Sequence, residues 1–366
     1  MNKLEKSGEL DRKIEFLPSD EVINERMQEN KGLTSPEMSV LLAYSKMSLD
    51  REILKSSLVT DPDFNDLLIS YFPTHLQENY KEYILTHYLR KEIIANQLAN
   101  LVVNRAGMTF ISRFSDEFSA PLPEIIKSWW IAYNLLDAQR LYAQVETLDN
   151  KIDAEIQLRL YVGIEKAVER LCRWILRYVK DLTSASAIIS KYKGHVTALE
   201  KHMGQLIKSE EYPDVHEEES LYLANNVPTE LATVISRQGY LPQVMDIVWL
   251  ALEHNLDYDL VARNYFIAGR LLQVDWMRKN VLLLSRGNKW QALARSALLA
   301  DIFKLYRSTM LSAINTTNGD TLAWMEVNQD KINKVKAILE ELQSYKVLDL
   351  AMLSAAIREF GHILVD

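Results

Sequence analysis

HYLRKEIIANQLANLVVNRAGMTF, residues 87–110, is the stretch on which the fold turns. From Ile93 to Val103 it holds no charge and no helix breaker, and its only polar side chains are the amides of Asn96, Gln97 and Asn100. At about 100° per residue, Ile94, Leu98, Leu101 and Val102 share one side of a helix, and Leu89, Ile93 and Val103 share another. A helix apolar on several sides is expected to be enclosed by neighbours. This predicts a central buried helix near 85–106. Asn96, Asn100 and Asn104 recur every four residues as a ladder of amides, and inside a core each would need a partner. With Arg105, the ladder reads either as a satisfied buried network that fixes helix register or as a contact with another domain or subunit.

Working outward, the chain reads as helical throughout. Its 366 residues suffice for two or more cores. Only 11 glycines and nine prolines are present, and no proline follows Pro242. Lys31–Met47 carries a start signal, with Thr34 as cap, Glu37 three residues on and Pro36 in the first turn. Losing that cap costs about 1 kcal/mol. Gly107 suits the C-terminus of the central helix. Asn255, Asp257, Gly287-Asn288 and Asn318-Gly319 are natural turns. No segment alternates with period two, so no sheet is expected, and no fixed repeat indicates a solenoid. The expectation is an all-α, irregular multi-helix bundle of roughly 14–16 helices in two helical subdomains. They would be 1–180, a helix and acidic linker over 181–220, and 221–366.

A long amphipathic helix is expected over 153–180, with Leu160, Ile164, Val168, Leu171, Ile175 and Val179 facing inward. Opposite them Arg159, Lys166, Arg170, Arg173, Arg177 and Lys180 form a basic ridge. The ridge reads as a solvated face or as a docking ridge for an acidic surface. The acidic run SEEYPDVHEEES, 209–220, is a local candidate partner.

Little chemistry is legible. The net charge of −8 argues against a nucleic-acid binder. No two glycines lie closer than ten positions, so neither GxGxxG nor GxxxxGK occurs. The single cysteine, Cys172, excludes an intrachain disulfide and a cysteine metal cluster. His195, His202 and His216 are too few and too scattered for a zinc site. His87 reads as a helix-boundary hydrogen bonder, and the tryptophans read as core. No apolar run approaches the roughly 20 residues of a membrane helix, and no signal core opens the chain. The setting expected is the cytoplasm, with no metal and no membrane partner.

Several strings resemble one family. KGLTSPEMSVLLAYSKM (31–47), YFPTHLQENY (71–80) and HYLRKEIIANQLANLVVNRAGMTF (87–110) are similar to the C-terminal region of the large, multidomain NAD-dependent glutamate dehydrogenases of bacteria. The likeness continues in LDRKIEFLP (10–18), LCRWILR (171–177), VPTELATVISR (227–237), DIVWLA (246–251), NYFIAGRLLQVDWMR (264–278) and KWQALARSALLADIF (289–303). In that family a catalytic core converts L-glutamate to 2-oxoglutarate and ammonia with NAD. The resemblance implies a non-catalytic helical region with a structural, oligomerisation or regulatory role. The whole enzyme would use NAD, and this chain would hold no cofactor. Its partners would be the catalytic core and regulatory region of the same polypeptide, in a homo-oligomer. No catalytic motif of the family occurs here, so no catalytic or NAD-binding residue is assigned. The chain would be an excised C-terminal fragment or, alternatively, a free-standing helical interaction module. The residues singled out are Asn96, Asn100, Asn104 and Arg105, and Arg170, Arg173 and Arg177.

Overall fold

The computed structural model describes residues 1–207 and 212–364, apart from the side chains of residues 3, 199–203, 205 and 206. The start of the expected acidic linker and the His202 side chain therefore lie outside the described residues. Among those described, the chain forms 21 α-helices and no strand, an all-α fold. The count exceeds the expected 14–16 because several segments break into helices of one or two turns. Contacts divide the chain into two compact units, Met1–Tyr133 with Ile175–Ile189, and Asn134–Trp174 with Ser190–Asp366. The chain passes between units within long helices rather than through polar linkers.

The first unit contains α1 (Asn2–Lys6), α2 (Asp20–Gln28), α3 (Ser35–Leu54), α4 (Asn65–Ser70), α5 (Thr74–Asn79), α6 (Lys81–Leu85), α7 (Arg90–Ala106) and α8 (Phe110–Phe118). Most of α9 (Leu122–Leu135) belongs to it too. Its main pairing is α3 against α7. The buried side of α7 is Ile94, Ala95, Leu98, Ala99, Val102, Val103 and Ala106. Alanines at 95, 99 and 106 keep that face shallow, so another helix can approach closely. Glu37 accepts from the Thr34 N–H at 2.6 Å and pairs with Arg26 at 2.8 Å, completing the capping box that starts α3. Gly107 ends α7 at φ +84°, a conformation L side chains rarely adopt. Asp63 accepts from the Ala185 and Ser186 N–H groups at 2.5 and 3.1 Å, capping the start of α12 (Ala185–Leu206) from outside the helix.

The second unit begins with the end of α9, then α10 (Ala138–Glu146) and α11 (Ala154–Tyr178), the last as far as Trp174. After the body of α12 come α13 (Pro213–Ala224), α14 (Thr229–Ser236), α15 (Leu241–His254), α16 (Tyr258–Leu271), α17 (Val274–Leu283), α18 (Lys289–Thr317), α19 (Thr321–Val327), α20 (Gln329–Ser344) and α21 (Leu350–Leu364). Residues 213–220, expected as linker, are the first turns of α13, which buries Val215 and Tyr222. Pro213 is tolerated there because the first helical position has no intrahelical N–H bond to lose. Asp257, Asn288 and Asp320 cap helix starts, and Asn255 and Asn318 end helices in the left-handed conformation. The expected turn residues thus fall at helix ends. α15 is buried on nearly every side, and α16 packs on α15, α17, α18 and α19. At Gly269 an added Cβ would sit 2.5 Å from the Tyr306 hydroxyl, so glycine is what lets α16 and α18 cross so closely.

Candidate functional site

The second unit holds a polar network inside its core. Asp246 interrupts the apolar sequence of α15 and is 1% exposed. Its Oδ1 accepts from the Trp174 indole N–H at 2.6 Å and from the Arg307 guanidinium, and its Oδ2 accepts from the Tyr265 hydroxyl at 2.8 Å. Trp174, Tyr265 and Arg307 stand on α11, α16 and α18, so one carboxylate ties four helices. The Arg307 guanidinium carbon lies 5.8 Å from the Trp174 ring and 5.5 Å from the Trp249 ring, within cation–π range of both. The Tyr306 hydroxyl donates to the Tyr265 carbonyl, and the two rings lie 4.0 Å apart.

Burial pushes the Asp246 carboxyl above its usual range, while the Arg307 charge and the Trp174, Tyr265 and Arg307 hydrogen bonds pull it back. Trp and Arg donate only, so these contacts need a carboxylate oxygen as acceptor. Burial likewise holds the Tyr265 and Tyr306 phenols well above the ordinary range, so both stay protonated donors. An acid whose two oxygens are engaged and shut off from water is in no position to take a proton from a substrate. The network instead joins α11, α15, α16 and α18 through its hydrogen bonds and ion pair.

Two further arginines are buried in this unit. Arg237 pairs with Glu219 at 2.6 Å and donates to the Ile207 carbonyl at 2.9 Å. Arg278 pairs with Asp214 at 3.1 Å and lies 5.0 Å from the Tyr240 ring. Glu219 and Asp214 belong to the acidic run. Its cationic partners shown here include Arg237, Arg278 and Lys279, and Glu218 of the same run also feels the charges of Lys166 and Arg170 on the α11 ridge.

The ridge itself divides. Arg159, Lys166 and Lys180 are exposed. Arg170 is part-buried and donates to the Gln238 side chain, and Arg173 pairs with Glu169 at 3.1 Å. Burial, with repulsion from Arg278 and Arg173, lowers the Arg170 guanidinium to about 10. In the first unit Arg177 pairs with Glu117 at 3.0 Å and lies 5.1 Å from the Phe118 ring. The three arginines singled out thus engage side chains of the chain itself. The amide ladder is not in the core. Asn96 and Asn104 are exposed and Asn100 is half-buried, donating to the Asn96 carbonyl at 3.0 Å and to its side-chain oxygen at 3.1 Å. Arg105 is half-buried.

Other expectations find their places. Cys172, Trp129, Trp174 and Trp324 are core residues, whereas Trp290 is 76% exposed. The Leu89 N–H donates to His87 Nδ1 at 3.2 Å, a helix-boundary bond. His195 stacks on Tyr258. Among the described residues no three His, Cys, Asp or Glu side chains converge as metal ligands, and no helix is long and apolar enough to cross a membrane. Open surface hollows also occur among the described residues of the second unit. One of about 560 Å³ lies beside Ala294, Asp301, Asp349 and Ser354, and one of about 420 Å³ beside Arg270, Gln273, Lys336 and Glu340. Sequence reasoning missed Asp246, whose signal was a lone acid within the apolar helix LPQVMDIVWLAL (241–252).

Comparison with known proteins agrees with the strings above. The family model described as glutamate dehydrogenase, C-terminal, matches residues 30–362. The chain is 28% identical over 365 residues to the NAD-specific glutamate dehydrogenase of Halomonas elongata, covering 98% of this chain and 23% of that protein. It is 29% identical over 365 residues to the enzyme of the same name from Pseudomonas aeruginosa, covering 98% and 22%. For that of Mycobacterium tuberculosis the identity is 26% over 356 residues, covering 96% and 22%. The chain thus spans less than a quarter of the length of the curated relatives it matches.

Proposed function

From a chain that belongs to the glutamate dehydrogenase C-terminal family, we infer a helical, non-catalytic region of a large NAD-dependent glutamate dehydrogenase. The parent enzyme would oxidise L-glutamate to 2-oxoglutarate and ammonia with NAD, in the cytoplasm and as a homo-oligomer. This region would brace the catalytic core, mediate subunit contacts or carry regulation, and would itself hold no cofactor. The carrying observation is the family match over residues 30–362, set against coverage of only 22–23% of each relative. The chemistry of the chain supports the reading. The sequence lacks both glycine-rich phosphate loops, and the described residues contain no strand on which a doubly wound nucleotide domain could be built. Among the described residues the most deeply buried acid, Asp246, is engaged by three donors.

The test is NADH formation from glutamate and NAD by the 366-residue chain alone and by the longer polypeptide that carries it. The chain alone should show no turnover and the longer polypeptide should be active. Comparable turnover by the chain alone would sink the non-catalytic assignment.

A further inference from the structure

The first unit carries a tyrosine-rich surface that its own packing does not explain. On α4–α6 and the turn into α7, Tyr71, Leu76, Tyr80, Tyr83, Tyr88 and Leu89 are all exposed, Tyr83 by 74% and Tyr88 by 84%. Their rings run in two connected series. Tyr71 meets Phe72, Phe72 meets His87 and His87 stacks on Tyr88, with centroids 5.0–5.7 Å apart. His75 meets Tyr80 and Tyr80 meets Tyr83 at 6.5 and 6.2 Å. The short helices α4, α5 and α6 pack on one another, and α4 packs on α7.

The scaffold beneath is fixed. Leu68 and Ile84 are buried anchors. Gln77 Nε2 donates to the Phe72 carbonyl at 2.6 Å, and Asn79 Nδ2 to the His75 carbonyl at 2.9 Å. Arg90 reaches Asn65 at 3.3 Å. Large aromatic side chains on a fixed scaffold lose little entropy when covered, which is the make-up of interface hot spots.

We propose that this tyrosine surface is where the region docks on the remainder of the dehydrogenase polypeptide. The proposal rests on the functional reading above. Tyrosine presents an apolar ring and a polar tip, which suits a protein surface with an apolar centre and a wet rim. Lys81, Arg90 and Lys91 are balanced by Glu78, Glu82 and Glu92, so the patch sets up no field for a phosphate-rich partner. At roughly 200 Å² per fully exposed aromatic, the six residues offer about 600 Å². A free-standing pair of proteins uses about 800 Å² per partner. A smaller interface suffices where a tether raises the effective concentration. That favours a covalently linked occupant over a second copy. More than three-quarters of each curated relative lies outside the match, so the relatives hold ample chain to supply one.

Hydroxyl-radical footprinting with mass spectrometry tests the surface directly. Tyr83 and Tyr88 are to be compared in the 366-residue chain and in the longer polypeptide that carries it. Oxidation should be severalfold slower in the longer polypeptide, at every protein concentration. Equal rates would overturn the docking. Protection lost on dilution would assign the surface to a second copy and overturn it too. In the longer polypeptide, Tyr83→Arg with Tyr88→Arg should raise oxidation of Tyr71 and Tyr80 to the isolated-chain rate. Continued protection of those two would also overturn the proposal. The footprint is read independently of turnover. A protected patch in a polypeptide without glutamate dehydrogenase activity would sink the functional reading and keep the surface. An active polypeptide with an unprotected patch would do the reverse.

Discussion

Helices α7 and α15 look alike as strings and behave differently as structures. Each is mostly apolar and each carries polar residues in its interior. In α7, Asn96, Asn100 and Asn104 lie away from the buried face. In α15, Asp246 and Gln243 are buried with the apolar residues around them. The difference is one of angular position. At 100° per residue, Ala95, Leu98, Ala99, Val102 and Ala106 centre one face of α7, and the three asparagines fall off that face. α15 has no such clear side, because it is enclosed almost all round. A polar residue in an apolar helix is a core group only where the helix has no outside.

The largest effect that would break this contrast is at Arg307. Arg307→Leu removes the cation from Asp246, which is 1% exposed, and leaves an uncompensated buried carboxylate. The expected cost is about 3–5 kcal/mol, read from urea unfolding. A loss below about 1 kcal/mol, the range of exposed pairs, would mean the pair is solvated and the contrast is wrong. On the α7 side the sensitive positions are alanines. Ala99→Leu should cost about 1–3 kcal/mol by overpacking the face against α3. A neutral result would show that α3 and α7 do not pack closely.

A smaller, pH-dependent effect belongs to α3. A hydrogen bond from Arg26, then one from the Thr34 N–H, holds the Glu37 carboxyl below its ordinary value of 4.5. A lowered folded value means that this contribution is complete above the ordinary range and is lost as the pH falls through the folded value. Amide protection in the first turn of α3, measured relative to the intrinsic exchange rate at each pH, should therefore fall in acid, and Glu37→Gln should flatten that fall. The smallest effect is expected at Asn100. Asn100→Leu, on the half-buried edge of α7, should change stability by no more than about 0.5 kcal/mol. A loss of several kcal/mol would restore the amide ladder to the core.

Much of the fold was legible in the residues. The all-α class followed from sparse glycine and proline and from the absence of period-two alternation. The Thr34–Glu37 capping box, the Gly107 C-cap and the turns at Asn255 and Asn318 were legible because each is set by neighbours in the chain. The internal polar network was not. Asp246 meets Trp174, Tyr265 and Arg307 from helices distant in sequence, and no local spacing announces that convergence. The same limit affected the basic ridge. Its periodicity was visible, but Gln238 and Glu117, the side chains that Arg170 and Arg177 reach, lie 68 and 60 residues away. Residues 213–220 were read as linker because proline and acids suggest one, although Val215 and Tyr222 supply a buried helical face. The family itself was legible in its long strings.

The central claim is that this helical region carries no nucleotide site of its own, and titration of the isolated 366-residue chain with NAD tests it most directly. Enzymes in general have KM values between about 1 μM and 1 mM. Calorimetry through that range should show no saturable heat and no shift in thermal unfolding. A saturable one-to-one isotherm within that range would contradict the account and place cofactor binding in the helical chain itself.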